Sequence, residues 1–184
     1  RYGSELVKEF REVDAFVGVQ TLDRGKVQAD PSLTPPHYAY LKICESCFNQ
    51  CSFCVIPKLK GRFLSRDIGA VLKDVRRLDE RGVKEMNIIG QDITAYGRDL
   101  GKGNSLASLL RKIVREVRSV EWIRLLYAYP AHITDELLDV MAGEPRICKY
   151  LDIPLQHMSD KILVRMNRKI TQAQVDRPLA PHVV

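Results

Sequence analysis

From residue 38 onward the chain changes its hydrophobic period again and again. Short apolar runs of strand type alternate with longer segments whose apolar residues recur at helical spacing. The first run, 38–44, is followed by Ile68, Val71, Leu72, Val75 and Leu78, with Ser65 as the expected cap and Gly82 as the expected stop. The second, 85–90, precedes Leu106, Leu109, Leu110, Ile113, Val114 and Val117, which begin after Ser105. The third, 122–127, precedes a short helix capped by Thr134, carrying Leu137, Leu138 and Met141 and stopped at Gly143. The fourth, 150–153, precedes a helix from Ser159 through Ile162, Leu163 and Met166. Four β-then-α units predict an α/β fold with a parallel sheet and right-handed crossovers. A closed barrel needs more strands, so the units are expected to form part of a barrel or an open half-sheet.

The stretch before these units reads differently. Residues 30–36 (D-P-S-L-T-P-P) hold three prolines, which fit neither a helix interior nor a central strand, so a linker is expected there. Residues 1–12 suggest a short helix with Leu6, Val7 and Phe10 on one face, and 13–19 a strand. The expected organisation is a domain tail plus linker over 1–36, a core over 37–175 and an irregular tail over 176–184. The chain opens on Arg1 rather than methionine, and both ends read as cuts through something larger, or as a diverged tail.

Between the first strand and its helix lies L-K-I-C-E-S-C-F-N-Q-C-S-F-C-V-I-P, residues 41–57. It holds Cys44, Cys47, Cys51 and Cys54, four of the five cysteines in the chain. Thiolates so concentrated suit soft metals or an iron–sulfur cluster. A disulfide framework fits poorly, because cysteines are few and no secretory signal precedes them. Two readings of the spacing stand. Cys47, Cys51 and Cys54 form C-x3-C-x2-C, and three thiolates on a four-iron cubane leave one iron open, as catalytic sites require. Alternatively, Cys44 joins them as a fourth ligand and closes a zinc or electron-transfer site. If the first strand runs into the loop, Cys44 is instead a small buried strand-end thiol. Cys148 is expected in the core.

The chain has 184 residues, 45% hydrophobic, enough for one substantial core. No apolar run approaches the roughly 18 residues of a membrane span, so a soluble protein with no membrane partner is expected. Clustered, mostly unpaired cysteines suit a reducing cytoplasm. The net charge of +6 permits an RNA-rich or ribosomal partner without demanding one. Lys58, Lys60, Arg62 and Arg66 form a modest basic cluster, read either as a solvated loop or as a contact for an anionic partner.

Ligands of parallel α/β folds sit beyond the carboxyl ends of the strands. Besides the cysteine loop, three loops qualify: G-Q-D-I-T-A-Y-G-R-D-L (90–100), R-L-L-Y-A-Y-P-A-H (124–132) and Y-L-D-I-P-L-Q-H (150–157). Their candidates for ligand contact are Gln91, Asp92, Arg124, Gln156 and His157, with Phe53 from the cysteine loop. Asp92 serves equally well as a turn cap, His157 as a hydrogen-bonded loop histidine, and the direction of Arg124 depends on register.

C-x3-C-x-F-C after a short strand resembles the signature of the radical S-adenosylmethionine (SAM) superfamily. The three further loops resemble the methylthiotransferases of that superfamily, in the branch that modifies an aspartate of a small-subunit ribosomal protein. The sister branch, which modifies an adenosine of transfer RNA, has G-Q-N where this chain has Gly90-Gln91-Asp92. The resemblance covers roughly residues 2–174. It implies a partial (βα) barrel, a 4Fe-4S cluster on Cys47, Cys51 and Cys54, and SAM on the open iron. Reductive cleavage of SAM would release a 5′-deoxyadenosyl radical that takes hydrogen from an unactivated carbon. Phe53, Gln91, Asp92, Arg124, Gln156 and His157 would line the cofactor and substrate cavity. The implied partners are the ribosomal protein and an electron donor such as flavodoxin or ferredoxin. The family carries a second cluster on three cysteines of an upstream domain, and those cysteines are not in this chain. It also has E-G-C before the first ligand, where this chain has Glu45-Ser46-Cys47; that change matters if the position needs a positive φ.

Overall fold

The computed structural model describes residues 34–179, together with residues 9, 10 and 12. Most of the expected helix over 1–12, the strand over 13–19, most of the linker and the end of the tail lie outside the described residues. In chain order the elements are β1 (Tyr38–Lys42), β2 (Cys44–Glu45), α1 (Ile56–Lys60), β3 (Leu64–Ser65), α2 (Ile68–Glu80), β4 (Glu85–Ile89), α3 (Leu106–Glu116), β5 (Trp122–Leu125), α4 (Asp135–Gly143), β6 (Ile147–Leu151), α5 (Asp160–Arg165) and α6 (Gln172–Leu179).

β1, β4, β5 and β6 form one parallel sheet whose spatial order is their chain order. This is the α/β architecture the alternation predicts. The register aligns Tyr38 with Glu85, and Glu85 with Trp122. Side chains of a strand alternate between faces. Ala39, Leu41, Met86, Ile88, Ile123, Leu125 and Ile147 therefore share one face, each at most 1% exposed. They join Val71, Val75 and Leu78 of α2, Leu109, Leu110 and Ile113 of α3, and Leu137 and Met141 of α4 in a single core. Burying each large aliphatic side chain there contributes about 1.5–3 kcal/mol. The opposite face is polar and aromatic. It carries exposed Tyr40, Trp122 and Tyr150, with Arg124 bonded to Glu85 Oε1 at 2.7 Å and lying 5.4 Å from the Tyr150 ring centre. That face is left exposed, and the four strands form an open parallel sheet consistent with part of a barrel.

Several boundaries move from their expected places. Ser65 does not cap α2. It pairs with Cys44 in the antiparallel β2–β3 ribbon, and Asp67 caps the helix by accepting from Ala70 N at 3.2 Å. The first strand stops at Lys42, and Cys44 begins β2. The fourth strand runs from Ile147 to Leu151, earlier than 150–153, because the fully buried Ile147 pairs with Ile123. Ser105 and Thr134 cap as expected: Ser105 and Ser108 exchange reciprocal bonds, and Thr134 accepts from Leu137 N. Cys148 is half-buried rather than core. α1 and α6 have no counterpart in the periodicity reading; α1 is five residues long and buries none of them. Leu163, Ile170 and Val175 pack with Leu155 in a small satellite core under α5 and α6. Among the described residues, no helix is long and apolar enough to cross a membrane.

Candidate functional site

The cysteine loop leaves the sheet at the carboxyl end of β1, and β2 pairing with β3 fixes its first residues. Ser46 follows with φ +65°, the left-handed conformation the sequence comparison of E-S-C with E-G-C raised. Its side chain compensates: Ser46 Oγ donates to Gly61 O at 2.6 Å in a fully buried position. The turn that follows is closed by Cys54 N donating to Cys51 O. Cys47, Cys51 and Cys54 are free and half-buried.

Cys44 faces elsewhere. It is 1% exposed, donates from Sγ to Asp92 O at 3.6 Å, and sits against Gly90 so closely that a Cβ there would lie 2.4 Å from its sulfur. Burial, followed by the negative charge of Asp92, pushes its thiol far above the usual range. A protonated thiol enclosed in this way is a packing group.

Cys47 and Cys54 open onto a cavity of about 460 Å³ at the strand ends. Ile56, Ile89 and Gly90 form its apolar wall; Lys42, Gln91 and Tyr127 add polar and aromatic groups. Lys42 pairs with Glu45, which also takes Lys60 at 3.0 Å. Burial, then the neighbouring Lys60, lowers the Lys42 pKa. In the basic cluster, Arg66 is neither solvated nor free: it is buried and donates to Asp74 Oδ2 at 2.8 Å.

Asp92 is the hub joining three loops. Oδ1 accepts from Thr94 Oγ1 at 2.6 Å; Oδ2 accepts from Asn49 Nδ2 at 3.0 Å and from His132 Nδ1 at 2.8 Å. Arg98, which can only donate, lies 3.0 Å from His132 Nε2. That nitrogen must accept, so Nδ1 carries the proton and donates to Asp92. Burial alone would raise the Asp92 pKa, but the bonds from His132, Thr94 and Asn49 outweigh it and hold the carboxyl below its ordinary value. Asn49 also points both its backbone N–H and its amide at Cys47 Sγ, each at 3.3 Å. The Asp92 carboxylate is thus spent on protein donors and ties the second and third loops to the first thiol.

The other expected site residues are dispersed. Gln91 lies on the cavity wall with its Oε1 buried and without a partner. Phe53 is 54% exposed on the cysteine loop. Arg124 is the penultimate residue of β5, opposite Asn87 in the middle of β4, on the open face and outside the cavity lining. Gln156 is exposed with φ +69°, and His157 is exposed with Nδ1 accepting from Ser159 N at 2.8 Å. The structure brings Gln91 and Asp92 to the thiols and leaves Arg124, Gln156 and His157 outside the cavity lining. Sequence reading missed Lys42, Asn49, Tyr129, His132 and Arg168 as neighbours of the site. Lys42, Asn49 and His132 lie inside the singled-out stretches but between stronger signals. Arg168 lies between α5 and α6, where no motif marks it.

The donor set fits an iron–sulfur cubane better than a single ion. Among the described residues no group of three or more His, Cys, Asp and Glu side chains converges on one metal position. A cubane does not require convergence, because each thiolate takes a different iron. Three buried polar atoms around the thiols also lack partners: Gln91 Oε1, Tyr129 Oη and Arg168 Nε. Buried polar groups are nearly always bonded, so their clustering beside the thiols marks room for a bound group.

Comparison with known proteins agrees. The family model of the radical SAM superfamily matches residues 41–179. The chain is 46% identical to the ribosomal protein uS12 methylthiotransferase RimO of Geotalea uraniireducens, over 95% of this chain and 44% of that protein. It is 45% identical to the same-named protein of Geobacter sulfurreducens, over 95% and 44%. The chain therefore spans less than half the length of these relatives. Among solved structures, the radical S-adenosylmethionine methyltransferase TsrM of Kitasatospora setae, bound to tryptophan and a SAM analog, superposes with a TM-score of 0.66. That match covers 86% of this chain and 32% of TsrM at 19% identity, which is a likeness of fold. By its family match and its fold, this chain belongs to the radical SAM superfamily.

Proposed function

We propose that the chain is the radical SAM portion, residues 37–175, of a methylthiotransferase that adds a methylthio group to the β-carbon of an aspartate in a small-subunit ribosomal protein. The observation that carries the reading is the division of labour among the four clustered cysteines. Cys47, Cys51 and Cys54 are half-buried on one loop and two of them, Cys47 and Cys54, line the strand-end cavity, while Cys44 is buried behind Gly90. Three ligands on a four-iron cluster leave a position for the amino and carboxylate groups of SAM; a fourth would close it. The relatives named for uS12 methylthiotransfer support the substrate class.

In this reading Cys47, Cys51 and Cys54 hold the 4Fe-4S cluster, and SAM occupies the cavity against Gly90, Gln91 and Tyr127. When bound, the reduced cluster and SAM supply a carbon-centred radical able to take hydrogen from an unactivated carbon. The chain's own residues do the placing. Asn49 orients Cys47 through two N–H groups, and Asp92 orients Asn49. Ile56 and Ile89 offer the ligand an apolar wall. Gln91 Oε1 offers an acceptor to an amino or hydroxyl group of the ligand. Flavodoxin or ferredoxin would supply the electron, and a second cluster would belong to a domain of the whole protein outside this chain.

Anaerobic reconstitution with iron and sulfide, followed by dithionite and SAM, tests the reading. The expected product is 5′-deoxyadenosine, lost in each of Cys47→Ala, Cys51→Ala and Cys54→Ala and kept in Cys44→Ala. A chain that binds zinc, or that loses its metal in Cys44→Ala, would overturn it in favour of a closed metal-binding module.

A further inference from the structure

The turn after α5 grips the cysteine loop. Ser52 N donates to Met166 O at 2.9 Å and Ser52 Oγ to Arg165 O at 3.3 Å, so the loop satisfies carbonyls that the helix end leaves open. Asn167, in the left-handed conformation at φ +51°, donates to Gln50 O at 2.6 Å. This staple delivers Arg168 to the second thiol. Arg168 Nη1 lies 3.8 Å from Cys51 Sγ, its guanidinium carbon is 4.7 Å from the centre of the Tyr129 ring, and Nη2 donates to Pro154 O at 2.6 Å.

Arg168 is only 5% exposed. Its contacts are Cys51 Sγ, Pro154 O and the Tyr129 ring, with no carboxylate among them, and its Nε has no partner among the described residues. An unpaired buried cation is costly, and buried charges are ordinarily paired or placed beside an ion. A carbonyl and an aromatic face share the guanidinium but do not neutralise it. The anion left to balance it is on the cysteine side. A 4Fe-4S cluster with three thiolates is anionic and grows more so on reduction.

We propose that Arg168 is a positioning residue that compensates the charge of the cluster through Cys51 and raises its reduction potential. The inference rests on the cluster assignment made under the proposed function. A cation beside a thiolate ligand favours the more negative, reduced cluster, and an N–H group aimed at the sulfur acts in the same direction. Sequence spacing hides the contact because Arg168 and Cys51 are 117 residues apart.

The test is a redox titration of the reconstituted protein, following the EPR signal that SAM perturbs, with iron and thermal unfolding measured beside it. Arg168→Gln keeps an amide near Pro154 but removes the charge. It is expected to shift the reduction equilibrium at least tenfold toward the oxidised cluster, about 59 mV more negative for a one-electron couple. Arg168→Lys keeps the charge and is expected to recover most of that shift. A purely structural role would lower thermal stability in both variants and leave the potential alone. Equal potentials in wild type and Arg168→Gln, both loaded with iron, would overturn this inference while leaving the cluster assignment intact. A wild type that takes up no cluster would overturn both.

Discussion

Replacing Gly90 by alanine puts a methyl group into space that Cys44 already fills. The φ of Gly90 is not in the left-handed region, so only the contact is at stake. The new Cβ would lie 2.4 Å from Cys44 Sγ, against 3.3 Å from Ile93 Cγ2 and 3.5 Å from Cys44 O. Non-bonded contacts settle at about 3.5–4.0 Å, so the sulfur overlap exceeds 1 Å while the other two are tolerable. Overpacking of this kind costs about 1–3 kcal/mol. Lower chain entropy in the unfolded state offsets about 0.4–1 of it. Cys44→Ala alone removes one buried sulfur, worth about 1 kcal/mol by analogy with a buried methylene and its cavity. In the double variant the methyl at position 90 occupies the place the sulfur left. Its loss is expected to be about 1 kcal/mol, well below the sum of the singles, giving a favourable coupling of about 1–2 kcal/mol. Urea unfolding of the four proteins measures the cycle, and iron content measured on the same samples should be unchanged by Cys44→Ala. Additive losses would refute the claim that Gly90 is there for the thiol. Loss of iron in Cys44→Ala would refute the claim that the thiol only packs.

Three other outcomes follow from the same loops. Gly97→Ala should be more harmful than Gly90→Ala, because φ is +88° and the Cβ would meet Asn104 C and O at 2.5 Å, both backbone atoms; a loss above about 3 kcal/mol in urea unfolding is expected. Ser46→Gly should be nearly neutral, since relief of the left-handed strain of about 1–2 kcal/mol balances the lost bond to Gly61. Ser46→Ala keeps the strain and loses the bond, so it should cost about 1–3 kcal/mol in the same assay. Asp92→Asn puts an amide where three donors converge and should cost about 1–3 kcal/mol at pH 7. Because the folded Asp92 pKa lies below its ordinary 3.8, its contribution is present above that value and is lost as pH falls through the lower, folded one. The gap between wild type and Asp92→Asn should therefore close on acidification, and a gap independent of pH would contradict the assignment.

The parallel sheet was legible because each strand and each helix carries its own period. Leu109, Leu110 and Ile113 announce a helix face wherever they are found, and their burial needed no further information. The grouping of Cys47, Cys51 and Cys54 on one loop was legible because spacing within a loop is a local property. What sequence could not supply was partnership across loops. Ser65 reads as a helix cap until its pairing with Cys44 is known. Asp92 reads as a ligand or turn residue until Asn49, Thr94 and His132 are placed around it. Arg168 carried no local signal at all, because its significance comes from a thiol supplied by the other end of the domain. Positive φ at Ser46 was raised by a single glycine missing from a motif, and the hydrogen bond that compensates it comes from the side chain glycine lacks.

The sheet register has a kinetic meaning. Tyr38 aligns with Glu85 and Lys42 with Ile89, so the strand before the cysteines meets its neighbour only after more than forty intervening residues have been made. Loops of that length form late relative to local helices. Until then four sulfurs hang on one unstructured segment with nothing to tell them apart. If Cys47, Cys51 and Cys54 hold the cluster as proposed, the order of maturation matters: a metal offered before the strands meet would find four equivalent thiols, and one offered afterwards would find Cys44 already enclosed.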